Sequence, residues 1–230
     1  MINLKIAIQK SGRLNEDSLT LLKECGISIN NGKDQLMAQA SNFRLDVLYL
    51  RNSDIPQYVR DGVADIAIIG DNTEKEKKTG IRHVLDLGFS RCRLSIAVPK
   101  NVDFQDISYL QGKKIATSYP NSLKDFLTEN DIEAEIHEIS GSVEIAPNIG
   151  LTDAICDLVS SGSTLFKNGL KEVYKIFESQ AILVANSGLC GEKQELLAQL
   201  VFRIKAVLAA KYNKYILLNA PEKALDRICR

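Results

Sequence analysis

Residues 156–170 read CDLVSSGSTLFKNGL, and five consecutive positions hold Ser160, Ser161, Gly162, Ser163 and Thr164. Backbone N–H groups entering a helix, a Gly that permits close approach and several hydroxyl donors together make an anion cradle. Such a cradle takes a phosphate monoester without needing net positive charge. Asp157, just upstream, has the chemistry to accept hydrogen bonds from sugar hydroxyls beside that phosphate. Ser and Thr also serve as ordinary N-caps and turn residues, but four hydroxyls around a Gly exceed what capping requires. Basic candidates lie elsewhere: Lys10, Gly12 and Arg13 in the turn KSGR, then Arg51, then Arg91 and Arg93. Arg13 is either a solvated turn residue or a cleft residue at a strand's carboxyl end, where ligands of α/β folds gather. Arg91 and Arg93 either face a cleft or brace a hinge.

Just as informative is what is missing. No Gly-x-Ser-x-Gly elbow, acid–base dyad at revealing spacing or reactive cysteine context is present. His83 and His137 both lie in strand-like runs and read as structural residues.

Apolar strand-like runs alternate with helical patterns, the grammar of an α/β fold with strands covered on both faces. Strands are expected at Leu4–Ile8, near Gln35–Ala40, at Leu45–Leu50, Ile66–Ile69 and Ala154–Val159. Helices are expected at about Glu16–Cys25, Ile55–Asp61 and Glu192–Lys211, with a short one beginning near Thr164. Residues 62–70 (GVADIAIIG) echo 150–158 (GLTDAICDL), and KIAIQKSGRLNEDSLTLL (5–22) echoes KIATSYPNSLKDFLTEN (114–130). Two lobes built from the same kind of strand–helix unit account for the echo. RLSIAVP (93–99) would lead into the second lobe and FESQAILVA (177–185) back. That places lobe I at 1–92 and 180–230 and lobe II at 93–179.

Composition narrows the function classes. Lys plus Arg and Asp plus Glu both number 29, so the net charge is zero. No global field recruits nucleic acid or an anionic membrane. Five scattered cysteines without a CxxC pair imply reduced thiols and a cytoplasmic protein. Neither a signal-peptide core nor an apolar run of the ~20 residues needed for a membrane span is present. Two histidines without clustered cysteines make a zinc site improbable.

The order acid, two apolar residues, hydroxyl-rich turn with Gly in DLVSSGST resembles the loop by which phosphoribosyltransferases bind 5-phosphoribosyl-1-pyrophosphate (PRPP). The surrounding stretches extend the likeness: IAIQKSGRL, DIPQYVRDGVADIAIIGDN, CRLSIAVP, GKKIATSYP, GSVEIAPNIGLTDAICDLVSSGSTLFKNGL and KYILLNAP. In that order, over nearly the whole chain, they resemble the ATP phosphoribosyltransferase family, and more its long form.

The resemblance implies a two-lobed, periplasmic-binding-protein-like (type II) α/β fold with a cleft between the lobes. It implies transfer of phosphoribosyl from PRPP to N1 of ATP with magnesium, whose ligands stay unassigned. PRPP is expected at Glu144, Asp153, Asp157, Ser160, Ser161, Gly162, Ser163 and Thr164. ATP is expected at Lys10, Gly12, Arg13, Arg51, Asp71, Asn72, Arg91 and Arg93. In GDN (70–72) the family has Glu where this chain has Asp71, so Asp71 reads equally as a nucleotide contact or as the N-cap of the next helix. Glu144 likewise reads as a ligand or as a favourable first-turn acid. A homodimer is expected, with a C-terminal histidine-binding regulatory domain or partner subunit absent from this chain, whose last stretch, KALDRICR, breaks off in a helical pattern. The competing class is a ligand-binding module, since two-lobed folds also serve as solute receptors and as effector domains of transcription regulators. A receptor would need an export signal and a regulator a DNA-binding domain, and neither is evident in the sequence.

Overall fold

The computed structural model describes residues 2–30, 35–211 and 221. The run KYILLNAP, apart from Pro221, and the helical pattern of KALDRICR lie outside the described residues.

Two sheets organise the described chain. The first contains β1 (Leu4–Gln9), β2 (Met37–Gln39), β3 (Leu45–Leu50), β4 (Ile66–Gly70), β5 (Arg82–Asp86) and β11 (Ala181–Ala185), in the order β2-β3-β1-β4-β11-β5. The second contains β6 (Cys92–Pro99), β7 (Lys114–Thr117), β8 (Glu135–Glu138), β9 (Ala154–Val159) and β10 (Leu170–Ser179), in the order β10-β6-β9-β7-β8. Around the first sheet pack α1 (Arg13–Glu24), α2 (Ile55–Arg60), α3 (Asp71–Lys77) and α6 (Gly191–Lys211). The second carries α4 (Pro120–Glu129) and α5 (Ser163–Lys167).

Both sheets are buried on two faces, which is why β4 and β11 are apolar at consecutive rather than alternating positions. One face of the first sheet sets Leu4, Ile6 and Ile8 against Leu21 and Leu22 of α1 and Leu196, Leu197, Leu200 and Ile204 of α6. The other face sets Ala7, Ala67 and Ile69 against Ile55 and Val59 of α2. Each such aliphatic side chain contributes roughly 1.5–3 kcal/mol on burial. The second sheet repeats the plan, with Leu94, Ile96 and Ile115 against Leu123, Phe126 and Leu127 of α4, and Ala116, Ile155 and Val159 against Val143 and Leu165.

The repeated Gly-x-x-Asp signal has one structural meaning in both places. Asp65 accepts the Lys5 N–H at 2.8 Å while its own N–H donates to the Lys5 carbonyl at 2.9 Å. Asp153 does the same with Lys114, at 2.9 Å in both directions. Each Asp therefore braces the start of its strand against the start of a parallel neighbour.

Two boundaries differ from the sequence expectation. FESQAILVA is not one strand: Phe177–Ser179 close β10 in the second sheet, Gln180 turns, and Ala181–Ala185 form β11 in the first. Helix α1 starts at Arg13 rather than Glu16, because Gly12 adopts φ +89° and ψ −176°, a backbone region essentially reserved for Gly, and ends the turn early.

Strand direction places the chemistry. β1 runs parallel to β3 and β4, so the carboxyl ends of all three face one side. In the second sheet β9 runs parallel to β7, and the antiparallel β6 brings Arg93 beside Val159.

Candidate active site at the facing strand ends

The loop after β9 is open. Ser160, Ser161, Ser163 and Thr164 are exposed, and Gly162 takes φ +76°, the left-handed conformation that lets the chain turn into α5. Among the hydroxyls one link forms, Ser161 Oγ to Ser163 Oγ at 3.1 Å. Helix α5 has only five residues, so its dipole is small and the donors are mainly the loop's own hydroxyl and N–H groups.

The loop is held from behind. Arg93 donates through Nε and Nη2 to both carboxylate oxygens of Glu172, and through Nη1 to the Ser160 carbonyl at 3.1 Å. Buried Ser95 donates to the same carboxylate at 2.8 Å. In a trans peptide the carbonyl and the following N–H point in opposite directions. Fixing the Ser160 carbonyl toward Arg93 therefore aims the Ser161 N–H away from the guanidinium. The two possibilities for Arg93 resolve toward bracing: its charge is committed to Glu172, which holds its own carboxyl below the usual range. Arg93 thus supports the loop through Ser160 and is ion-paired with Glu172.

Asp157 sits at the inner end of this loop. Burial pushes its carboxyl up to about 6, against the Leu158 N–H that it accepts at 2.8 Å, and the neighbouring Glu144 charge adds to the rise. Glu144 occupies a single 3₁₀ turn, Val143–Ile145, in its first turn. Tyr119 completes the group: burial, then the Asp157 charge, drive its phenol well above its ordinary value.

Across the cleft, two parallel strands of the first sheet, β1 and β3, end in cations. The Lys10 N–H extends the ladder to the Leu50 carbonyl at 2.7 Å, placing Lys10 beside Arg51. Both side chains are exposed and without an ion pair among the described residues. Arg13 opens α1, 69% exposed and 3.8 Å from Asp17, and its charge reaches the Cys92 thiol. Arg91 is exposed and without an ion pair among the described residues; the bond from Lys175 chiefly holds the Glu178 carboxyl below its ordinary range, and the Arg91 charge adds to it. A cavity of about 660 Å³ where the sheets meet is lined by Asp71, Arg91, Cys92, Arg93, Ser160 and Ser179, among others.

Three candidates fall differently from expectation. Asp153 is at the opposite end of β9 from the hydroxyl loop, spent on Lys114, which removes it from the phosphate group of residues. Asp71 is not a cap; Gly70 holds that position, and the Asp71 carboxylate pairs with Lys75 at 2.6 Å. Asn72 is buried, exchanging bonds with Ser179 at 2.9 Å and reaching the Tyr119 hydroxyl at 3.5 Å, so it ties the lobes together. Sequence reasoning missed Glu172 and Glu76. Each works through partners at least 45 residues away, and no local pattern marks such a pairing.

The class of fold is settled by likeness to solved structures. The substrate binding protein of an amino acid ABC transporter superposes with a TM-score of 0.60 at 12% identity, over 92% of this chain and 95% of its own. The molecule thus has a two-lobed periplasmic-binding-protein-like fold. The family is narrower. The family model HisG, ATP phosphoribosyltransferase, matches residues 51–206. The ATP phosphoribosyltransferase of Cytophaga hutchinsonii is 57% identical over 225 residues, 98% of this chain and 79% of that protein. The ATP phosphoribosyl transferase (HisG:HisZ) complex from Thermotoga maritima has a chain 29% identical, with a TM-score of 0.77 over 90% of this chain and 99% of that one. This chain belongs to the ATP phosphoribosyltransferase family, transferases of histidine biosynthesis.

Proposed function

We propose that the cleft transfers the phosphoribosyl group of PRPP to N1 of ATP. The C1–N1 bond forms, the bond from C1 to the pyrophosphate oxygen breaks, and the products are N1-(5-phosphoribosyl)-ATP and pyrophosphate. The observation that carries this is the loop after β9, where exposed hydroxyls and the N–H groups around Gly162 meet a half-buried acid, Asp157. In this reading Ser160, Ser161, Gly162, Ser163 and Thr164 hold the 5-phosphate, and Asp157 accepts the ribose hydroxyls. Glu144 faces the pyrophosphate end. Lys10, Arg13, Arg51 and Arg91 attract the ATP phosphates and Gly12 gives the turn between Lys10 and Arg13 its shape, which explains how a chain of zero net charge holds two polyanions.

The nucleophile belongs to ATP, so the protein contributes alignment and charge stabilisation. Among the described residues no three His, Cys, Asp or Glu side chains converge as a metal site. The Glu144 and Asp157 carboxylates with pyrophosphate oxygens match the sparse, substrate-bridged ligand set that magnesium accepts. When bound, magnesium shares the charge that grows on the leaving pyrophosphate. A homodimer in the cytoplasm completes the reading. In support of the location, Cys25, Cys92, Cys156 and Cys190 are free thiols, and no helix among the described residues is long and apolar enough to cross a membrane.

The test is a direct assay with ATP, PRPP and magnesium, following phosphoribosyl-ATP by ultraviolet absorbance in the presence of pyrophosphatase. Product is expected. Its absence, with both substrates shown to bind, would contradict the assignment.

A further inference from the structure

Helix α4 has no cap of its own. Its N-cap residue, Tyr119, provides no side-chain acceptor, and Pro120 at the first helical position has no N–H. The next donors are met from the other lobe. Glu76, in the last turn of α3, accepts the Asn121 N–H at 2.9 Å on Oε1, and the Ser122 N–H at 2.8 Å and Ser122 hydroxyl at 2.7 Å on Oε2. The Glu76 carbonyl also accepts from Asn121 Nδ2 at 3.0 Å.

Glu76 is 5% exposed and has no ion-pair partner among the described residues. Its charge is answered by the unsatisfied donors and positive dipole end of α4. This is a helix cap supplied across the cleft. One turn earlier on α3, Asn72 donates to the Tyr119 hydroxyl at 3.5 Å, and Tyr119 feels the Asp157 charge. The stripe Asn72–Glu76 therefore joins the strand-end face of the first lobe to the segment after β7, whose strand pairs with β9 up to Cys156, next to Asp157. On the outside of the same helix pair, Lys78 and Asp125 form an exposed ion pair at 2.6 Å.

We infer that Glu76 is a positioning residue for the transfer: by capping α4 it sets the angle between the lobes and holds the donor loop opposite the basic strand ends. Opening the cleft would leave a buried carboxylate and the first donors of α4 without partners, a cost that keeps the lobes in register. The inference rests on the proposed function, in which each substrate is held mainly by one lobe and only chemistry needs both.

Glu76→Gln tests it, because one acceptor oxygen becomes an amide donor facing an N–H. With substrates titrated singly, Kd for PRPP and for ATP should stay within about two-fold, while kcat falls about ten-fold or more, the scale of losing hydrogen bonds to a buried charge. Ser122→Ala removes one of the four bonds and should reproduce the pattern at about three-fold; it serves if Glu76→Gln fails to fold. Lys78→Ala, which removes the exposed pair, should leave kcat within about two-fold. Small-angle scattering of unliganded Glu76→Gln should give a larger radius of gyration than the unmodified chain. An unchanged kcat, a PRPP affinity that falls in step with kcat, or an unchanged scattering profile overturns the role. If the unmodified chain makes no phosphoribosyl-ATP, the functional reading fails instead, and the scattering comparison still decides the cap.

Discussion

The units around β4 and β9 begin alike and end for different purposes. Each opens with Gly-x-x-Asp, and Asp65 and Asp153 brace their strands through matching pairs of bonds to Lys5 and Lys114. Each strand then leads into a short helix, β4 directly and β9 through the turn at residues 160–162. At the end of β4, Gly70-Asp71-Asn72 is consumed by the protein: Asp71 by Lys75, Asn72 by Ser179 and Tyr119, and later Glu76 by α4. At the end of β9, Ser160, Ser161, Ser163 and Thr164 stay exposed and nearly unspent, held from behind by Arg93 and Glu172. A repeated motif thus specifies how a strand is seated. Whether its far end clasps or binds is decided by neighbours remote in sequence.

The largest effect that would sharpen this comparison is on stability at the matching ends. Asp65→Ala removes a buried carboxylate that also pairs with Lys193 at 2.7 Å, and should cost about 3 kcal/mol in urea denaturation. Asp153→Ala loses one backbone partner at a half-exposed site and should cost about 1 kcal/mol. Neither should change the PRPP affinity of the folded enzyme. A tenfold loss of PRPP affinity in Asp153→Ala would restore that residue to the site and break the comparison.

A second effect separates the far ends. Gly162→Ala meets no closer obstacle than Val159 at 3.9 Å, but must hold φ +76°, at about 1–2 kcal/mol. Relaxation of the loop should raise Kd for PRPP by about ten-fold, in keeping with that energy, and leave ATP binding unchanged. Equal weakening of both substrates would show that the loop does not belong to PRPP alone.

The smallest effect is a shift in pH dependence. Folded protein keeps the Asp157 proton up to about pH 6, whereas the unfolded chain releases it near pH 4. The ionised carboxylate therefore costs stability above pH 6, and the cost fades as pH falls through that window. Asp157→Asn should melt a few degrees higher than the unmodified protein at pH 7.5, and the gap should close by about pH 4. A gap that persists at pH 4 would mean that packing, and not charge, separates the two.

Much of this was legible in the sequence, and the boundary has a physical cause. The runs Leu45–Leu50 and Ala154–Val159 are bounded by turn residues and fall where the pattern puts strands. The hydroxyl loop is local chemistry on five adjacent residues, so it could be read. Asp153 precedes β9 and the hydroxyl loop follows it, so the six residues of the strand carry Asp153 to the far end from Ser160, a separation that only the strand's extent reveals. Sequence left Arg93 open between facing a cleft and bracing a hinge, because Glu172, its partner on the adjacent antiparallel strand, lies 79 residues away. Glu76 sat unnoticed in TEKEKK for the same reason.

The central claim is that the end of β9 holds the phosphoribosyl donor. Calorimetric titration of Asp157→Ala with magnesium–PRPP and, separately, with ATP tests it most directly. The account predicts that PRPP affinity falls about 100-fold, the loss of charge-assisted bonds to two ribose hydroxyls, while ATP affinity stays within about two-fold. Unchanged PRPP affinity in a folded Asp157→Ala protein would contradict it.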